Sequence, residues 1–230
     1  MPTGQRLIVA LDTVEANRAR AWAAAVAPHA GLLKLGLEFF LANGADGLRS
    51  ITDAPIFLDL KLHDIPNTVA GAVRAVLPLR PKMLTIHASG GAAMVRAAQQ
   101  VATGAGPDRP MILAVTVLTS LDQSDLTATG LTATPAEQVL RLARLAIGSG
   151  ADGLVCSPLE VAMLRQALGP AVTLVVPGIR PEGAATGDQA RTMTPPQAIA
   201  AGANWIVVGR PITAAANPAA AAAEIAASIQ

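Results

Sequence analysis

The chain has 230 residues, of which 52% are hydrophobic, 14% are charged and 2% are aromatic, and its formal net charge is +1. A chain this apolar and this weakly charged is not intrinsically disordered, and it lacks the basic face that nucleic-acid binding requires, so no nucleic-acid partner is expected. The length suits a single large domain, since one α/β barrel commonly has about 250 residues.

Eight short apolar runs alternate with longer segments along the chain. The runs span residues 7–12, 32–37, 56–61, 83–88, 111–118, 153–157, 173–179 and 205–210. They are rich in branched aliphatic residues and are bounded by Gly, Pro, Asp or Ser, which is typical of parallel strands buried on both faces. The sequence therefore predicts eight such strands.

Three of the segments between the runs begin with a capping box. The boxes run from Thr134 to Glu137, from Ser157 to Glu160 and from Thr194 to Gln197. In such a box the hydroxyl and the acid or amide three residues later satisfy each other's free backbone N–H groups. Each box also has proline at the first helical position, where its missing N–H does no harm. A helix is predicted to begin at each of them.

Eight strands alternating with helices within 230 residues match a single (β/α)8 TIM barrel, an α/β fold. The competing fold is a doubly wound open sheet, which has fewer strands and often a Gly-rich first turn. Residues 12–14, which follow the first run, read Asp-Thr-Val and contain no G-x-G-x-x-G motif. With no linker in the sequence, we predict one barrel domain spanning residues 1–230.

The sequence gives no indication of a membrane or secreted protein. No run reaches the roughly 18 apolar residues that a membrane-spanning helix requires, and Asn217, Pro218 and Glu224 interrupt the alanine-rich C-terminal tract. No signal-peptide pattern is visible at the N-terminus. The single cysteine, Cys156, allows no intrachain disulfide, which suits a reducing compartment. We expect a cytoplasmic protein without a membrane partner.

Charged residues at the ends of the first three strands mark a candidate site, because the C-terminal face of such a barrel carries its chemistry. Asp12 ends the first strand, Lys34 interrupts the second, Asp59 and Lys61 end the third, and Asp64 follows in the loop. Lys34, Asp59, Lys61 and Asp64 are the candidates for one cluster at the barrel mouth. Alternate residues of a strand point to the same face, so Asp59 and Lys61 are expected to point together. Opposite charges make such a cluster tolerable when partly buried, and neighbouring carboxylates keep lysines protonated. A lysine held in this way is suited to deliver a proton.

The last two strands predict a phosphate site, which barrels of this class commonly build after strands 7 and 8. Strand 8 ends in Gly209 and Arg210, and a glycine amide with an arginine fork matches a phosphate dianion in geometry and charge. Strand 7 leads into a long loop that carries Arg180 and Gln189, and loops of this length commonly act as lids.

The sequence carries no strong signal for a metal or a cofactor. Three scattered histidines and one cysteine do not form a zinc-binding pattern, and no cofactor motif is visible. We therefore expect neither a resident metal nor a cofactor. A magnesium ion on Asp59 and Asp64 remains the chemically possible alternative.

Eight segments spread over nearly the whole chain carry a family resemblance. They span residues 9–12, 34–36, 57–68, 86–91, 115–120, 177–181, 187–189 and 208–211. Together they closely resemble the orotidine 5′-phosphate decarboxylase family of pyrimidine biosynthesis. The stretch 59–68 is the most specific of them, whereas D-x-K-x-x-D alone also occurs in sister sugar-phosphate barrels. No motif position departs from the family pattern.

The resemblance implies a catalytic role for four residues. Lys61 would protonate C6 of the pyrimidine after carbon dioxide leaves, and Asp59 would lie beside the departing carboxylate. Lys34 and Asp64 would complete the charge network. The implied reaction is cofactor-independent decarboxylation of orotidine 5′-phosphate to uridine 5′-phosphate.

The resemblance also implies substrate contacts beyond these four residues. Asp12 and Lys34 would hold ribose hydroxyls, and Thr119 would contact the base. The implied phosphate ligands are Arg180, Gln189, Gly209 and Arg210. Asp64 and Thr68 would reach across a dimer interface, so the active sites of a homodimer would be shared.

Two alternatives stay open at this point. One is a magnesium-dependent sugar-phosphate decarboxylase or aldol enzyme from a sister barrel family, which would not account for the stretch 59–68 together with Thr119. The other is a catalytically idle barrel that binds nucleotides. The intact set of charged residues argues against this alternative. Metal dependence and turnover distinguish the three.

Overall fold

A closed barrel of eight parallel strands forms the centre of the computed structural model, which describes residues 6–182 and 192–230. The strands are β1 (Leu7–Ala10), β2 (Leu32–Gly36), β3 (Ile56–Leu62), β4 (Met83–His87), β5 (Met111–Val115), β6 (Gly153–Val155), β7 (Thr173–Val176) and β8 (Trp205–Val208). They follow one another in chain order, and β8 pairs with β1 to close the barrel. Each predicted run coincides with one strand, with β3 reaching one residue further than predicted, so the predicted (β/α)8 barrel is confirmed.

Helices occupy the segments between the strands. They are α1 (Ala16–Val26), α2 (Leu37–Arg49), α3 (Pro66–Val76), α4 (Gly91–Thr103), α5 (Gln123–Ala128), α6 (Pro135–Gly148), α7 (Val161–Leu168), α8 (Pro195–Ala200), α9 (Arg210–Thr213) and α10 (Pro218–Ser228). Short 3₁₀ segments cover Ala27–His29, Leu77–Leu79, Ala88–Gly90, Gly106–Asp108 and Pro158–Glu160. Within residues 6–182 and 192–230, no helix has the length and hydropathy needed to cross a membrane. The single domain over residues 1–230 stays a prediction.

The predicted capping boxes are present. The hydroxyls of Thr134 and Thr194 accept from the backbone N–H three residues later, and the side chains of Glu137 and Gln197 accept in return. These boxes begin α6 and α8 where the sequence predicts. The box at Ser157 opens a 3₁₀ turn that precedes α7, so α7 itself begins later than predicted.

Most strands end earlier than their apolar runs predict. β5, β7 and β8 stop at Val115, Val176 and Val208, and the residues beyond them leave the sheet at its C-terminal face. Arg210, predicted to end β8, is instead the first residue of α9. The physical reason is Pro211, whose missing N–H and fixed φ suit the first turn of a helix.

Alternate strand residues point into the barrel and pack against one another there. This inner cluster contains Ile8, Ala10, Leu32, Phe57, Met83, Leu113, Val175 and Val207. The residues between them face outward and pack under the helices in a larger cluster. Two residues further along β2, β3 and β4, the next inward positions carry Lys34, Asp59 and Thr85. The barrel interior thus changes from apolar to polar toward its C-terminal end.

Gly153 on β6 pairs with Leu113 of β5 and Thr173 of β7, and there is no room for a side chain at this position. A methyl group added there would lie 2.4 Å from the carbonyl oxygen of Thr173 and 3.0 Å from Cδ2 of Leu113. The oxygen belongs to the backbone of a paired strand, so it has little freedom to move. At Gly148, the last residue of α6, nothing lies within 4 Å of an added methyl.

These two glycines predict opposite effects of the same substitution. Gly153→Ala should lower the free energy of unfolding by about 1–3 kcal/mol through overpacking. Gly148→Ala should leave it unchanged or raise it by up to about 1 kcal/mol, because alanine is the better helix former. Urea unfolding followed by circular dichroism measures both. Equal midpoints for the two variants would contradict the packing described for β6.

Candidate active site

A cavity of about 450 Å³ opens at the C-terminal ends of the strands. Its lining comes from β1, β2, β3, β5, β6 and β8, together with the segments that follow β1, β5, β6, β7 and β8. Among the predicted site residues, the lining includes Asp12, Lys34, Asp59, Lys61, Thr119, Arg180, Gly209 and Arg210. The fold therefore brings eight residues from six parts of the sequence to one place.

Four of these residues form a chain of ion pairs, called here the charged network: Asp12, Lys34, Asp59 and Lys61. The Nζ atom of Lys34 lies 2.9 Å from Oδ1 of Asp12 and 3.5 Å from Oδ2 of Asp59. The Nζ atom of Lys61 lies 2.8 Å from the same Oδ2 atom. One carboxylate therefore joins two lysines, as the alternating charges of the sequence predict.

Burial and charge act in opposite directions on the two innermost members of the charged network. The side chains of Lys34 and Asp59 are each only 11% exposed. Burial raises the pKa of Asp59, but the positive charges of Lys34 and Lys61 outweigh it and hold that pKa below its usual 3.8. Burial likewise lowers the pKa of Lys34, but Asp59 and Asp12 outweigh it and raise that pKa above 10.5. Both groups are therefore charged at neutral pH.

The backbone conformation that brings Lys61 to Asp59 differs from the regular strand that the sequence predicts. The φ of Lys61 is 50°, in the left-handed region where non-glycine residues are uncommon. The pairing of β3 with β4 shifts at this point, between Leu58 and Leu62. A regular strand would also place Lys61 beside Asp59, so the predicted outcome is correct although the local backbone differs.

The sequence analysis missed Thr85, a fully buried residue on β4. Its Oγ1 atom accepts a hydrogen bond of 2.8 Å from the backbone N–H of Lys61 and donates one of 2.9 Å to Oδ1 of Asp59. The signal available in the sequence was a hydroxyl at an inward position of an otherwise apolar run. Beside it, His87 at the end of β4 lies 5.4 Å from His63, ring centre to ring centre.

The phosphate candidates that the structure describes line the part of the cavity that follows β7 and β8. Arg180 is buried; its backbone N–H donates to the carbonyl of Met193 at 3.0 Å, and its Nη1 atom donates to the carbonyl of Ile179 at 2.9 Å. Gly209 caps α9, which begins with the exposed Arg210. Gln189 lies outside the described residues.

Asp64 and Thr68 lie outside the cavity of this chain. Both are exposed: Asp64 lies on the segment that joins β3 to α3, and Thr68 lies in the first turn of α3. The carboxylate of Asp64 accepts from the backbone N–H of Ile65 at 2.6 Å rather than pairing with the charged network. The structure thus pairs Asp12, and not Asp64, with Lys34. The roles implied for Asp64 and Thr68 stay predictions.

Cys156 is the remaining ionisable group in the lining, and burial raises its pKa. It therefore contributes a neutral, apolar surface. Across the part of the chain that the structure describes, no group of three or more His, Cys, Asp or Glu side chains is placed to hold a metal ion.

Comparison with known proteins assigns a family to this site. Residues 5–225 match the model described as Orotidine 5′-phosphate decarboxylase / HUMPS family. A protein named Orotidine 5′-phosphate decarboxylase from Anaeromyxobacter sp. (strain K) is 55% identical over 231 residues, covering 100% of both chains. One of the same name from Gluconobacter oxydans (strain 621H) is 54% identical over 224 residues, which is 96% of this chain and 95% of that protein.

A solved structure has the same architecture. The crystal structure of orotidine 5′-phosphate decarboxylase from Lactobacillus acidophilus matches with a TM-score of 0.87 and 39% sequence identity, covering 98% of this chain and 99% of that chain. The resemblance seen in the eight short segments therefore extends over whole chains. Because the family model matches nearly the full length of this chain, the chain belongs to the orotidine 5′-phosphate decarboxylase / HUMPS family.

Proposed function

We propose that the chain is a carbon–carbon lyase that converts orotidine 5′-phosphate to uridine 5′-phosphate without a cofactor, in the cytoplasm, as a step of pyrimidine biosynthesis. The observation that carries the proposal is the position of Lys61. Its ammonium group lies at the cavity, 2.8 Å from the carboxylate of Asp59. The relatives described above, which bear the name of this activity, support it.

The reaction needs a positive charge where an electron pair develops. The bond between C6 and the carboxylate carbon breaks, carbon dioxide leaves, and the electron pair remains on C6. The N–H bond of Lys61 then breaks as the C6–H bond forms, and the neutral amine regains a proton from water. A pair of unit charges 4 Å apart contributes about 4 kcal/mol at an effective dielectric near 20, so an ammonium group fixed beforehand is a substantial part of catalysis.

Asp59 serves two purposes in this proposal. Its carboxylate holds the ammonium of Lys61, and its negative charge lies beside the carboxylate that departs. Lys34 keeps that charge in place, because its own ammonium lies 3.5 Å from Oδ2 of Asp59. The charges needed for the reaction are thus present before the substrate arrives, and the protein does not reorganise during the step.

Binding at the phosphate supplies energy that a single charge pair cannot. Arg180, Gly209 and Arg210 line the same cavity as the charged network, and we propose them, with Gln189, as the phosphate ligands. Contacts to the remote phosphate position the ring against Lys61, so the binding energy of the phosphate lowers the barrier of the chemical step. Thr119, also in the lining, is proposed to contact the base.

The contacts of Asp59 favour this reaction over the magnesium-dependent alternative. Its Oδ1 atom accepts from Thr85, and its Oδ2 atom lies within ion-pair distance of Lys34 and Lys61. A divalent cation bound there would have to displace an ammonium group. The arrangement suits proton delivery by lysine better than coordination of a cation by aspartate.

We further propose a homodimer in which Asp64 and Thr68 complete the site of the partner subunit. Between these exposed polar residues lies Ile65, an apolar residue that is 66% exposed. On the neighbouring unit of the barrel, Leu37 and Leu41 are 51% and 75% exposed at the start of α2. Leu37 directly follows β2 and Ile65 follows β3, so these side chains lie toward the same end of the barrel, where large exposed apolar side chains are typical of a protein–protein interface.

Turnover of orotidine 5′-phosphate with and without EDTA tests the proposed reaction. We expect loss of its ultraviolet absorbance, formation of uridine 5′-phosphate, and rates that EDTA does not change. Activity that EDTA abolishes and Mg²⁺ restores would support the sister-family alternative. Binding of uridine 5′-phosphate without any turnover would support the idle nucleotide-binding barrel.

Two substitutions separate catalysis from binding. Lys61→Ala should lower kcat by about 100- to 10 000-fold, because it removes the general acid. It should leave the affinity for uridine 5′-phosphate nearly unchanged. Arg210→Ala should instead weaken that affinity by about 10- to 100-fold, as expected for a lost charge-assisted hydrogen bond. Steady-state kinetics and calorimetric titration measure the two effects, and near-normal turnover by Lys61→Ala would exclude the role proposed for it.

Subunit mixing tests the shared site. Equal amounts of Lys61→Ala and Asp64→Ala protein should together recover about a quarter of the wild-type activity, since half of the dimers are mixed and each has one intact site. Lys61→Ala mixed with Asp59→Ala is the control, because both residues come from one chain and no intact site can form. A first mixture as inactive as its parents, although differently tagged subunits exchange, would show that the sites are not shared.

A further inference from the structure

We infer that Thr85 is a positioning residue that fixes both Lys61 and Asp59 for catalysis, although it lies beneath the cavity and not in its lining. The inference rests on the proposed function, because it concerns the group that delivers the proton. It assigns a role to a buried β4 side chain that touches no part of the substrate in the proposal.

The hydrogen bonds of Thr85 can run in only one direction. A carboxylate is an acceptor and a backbone N–H is a donor, so the single hydroxyl proton must go to Asp59 while an oxygen lone pair takes the N–H of Lys61. The two bonds measure 2.9 Å and 2.8 Å. One hydroxyl therefore ties the side chain of one catalytic residue to the backbone of the other.

The backbone at Lys61 depends on this acceptor. Leu58 pairs with Leu84 and Leu62 with Ile86, so β3 has four residue steps where β4 has two. Lys61 lies inside this irregularity with a φ of 50°, a conformation that costs energy for a residue with a side chain. Buried N–H groups in native proteins are nearly always paired. The hydroxyl of Thr85 supplies the partner for the N–H of Lys61.

The same hydroxyl also orients the carboxylate of Asp59. With Oδ1 held by Thr85, Oδ2 is left facing the cavity, where it lies 2.8 Å from Nζ of Lys61 and 3.5 Å from Nζ of Lys34. Without the hydroxyl, the carboxylate is free to rotate and to share its two oxygens differently between the lysines. The position of the proton-donating ammonium would change with it.

Thr85→Val tests the inference, because valine keeps the branched shape and lacks the hydroxyl. We expect kcat to fall by about 10- to 100-fold, since misplacement of a reacting group by about 1 Å can cost that much. The affinity for uridine 5′-phosphate should change by less than about 3-fold, because the phosphate ligands are on other strands. Thr85→Ser keeps the hydroxyl and should restore kcat to within about 3-fold of wild type.

Thr116→Val is the matched control, because Thr116 is also a buried threonine in the barrel wall and its hydroxyl donates to the carbonyl of Val155. It loses a buried hydrogen bond without touching the charged network, so kcat should stay close to wild type. If the valine variant does not fold, Thr85→Ala replaces it in the test, because alanine removes the hydroxyl without placing a methyl group beside Asp59. The same loss of kcat is expected for Thr85→Ala.

Three results would overturn the inference. Wild-type kcat in Thr85→Val or Thr85→Ala would show that the hydroxyl is dispensable. Equal losses in Thr116→Val, or a parallel loss of kcat and nucleotide affinity, would show a general effect on stability. Failure of Thr85→Ser to recover activity would exclude the hydroxyl as the cause. If the wild-type protein itself does not turn over orotidine 5′-phosphate, the proposed function fails, and this inference with it.

Discussion

The arrangement of the site depends on one buried carboxylate. Asp59 lies between Lys34 and Lys61, and each of the three charges is tolerable at the barrel mouth because the others are there. A lone charge in this position would be strongly disfavoured, because burial removes its hydration and no opposite charge would compensate for the loss. Removing any member leaves the rest badly paired, so the charged network acts as a unit and not as separate residues.

The site is also a continuation of the barrel core. Along β2 the inward position changes from Leu32 to Lys34, and along β3 from Phe57 to Asp59, while the outward positions remain apolar. The close packing that fills the barrel therefore sets the height and direction of the charged side chains above it. Rigid strands hold such groups more precisely than loops do. Stability and pre-organisation of the site have the same physical source here.

The sequence predicted the fold well because its signals are local. Continuous apolar runs indicate strands buried on both faces, and the capping boxes at Thr134 and Thr194 mark helix starts within a single turn. Charged residues at strand ends likewise indicated the charged network. The contacts of Thr85 and the left-handed backbone of Lys61 could not be predicted in the same way. Both follow from how β3 and β4 pair, and a register shift between two strands leaves no local pattern in either of them.

The strand order explains how the two ends of the proposed substrate can be coupled. β1 is hydrogen-bonded to β2 on one side and to β8 on the other, so Asp12, which follows β1, lies between the lysines and the phosphate candidates. Glycines border this position: a methyl group at Gly36 would lie 3.4 Å from Nζ of Lys34, and one at Gly209 would lie 3.8 Å from Oδ2 of Asp12. In the proposed binding mode, the ribose between ring and phosphate would lie beside these glycines. Binding energy at the phosphate can then act on the ring through a short, rigid part of the barrel, without a relay through distant elements.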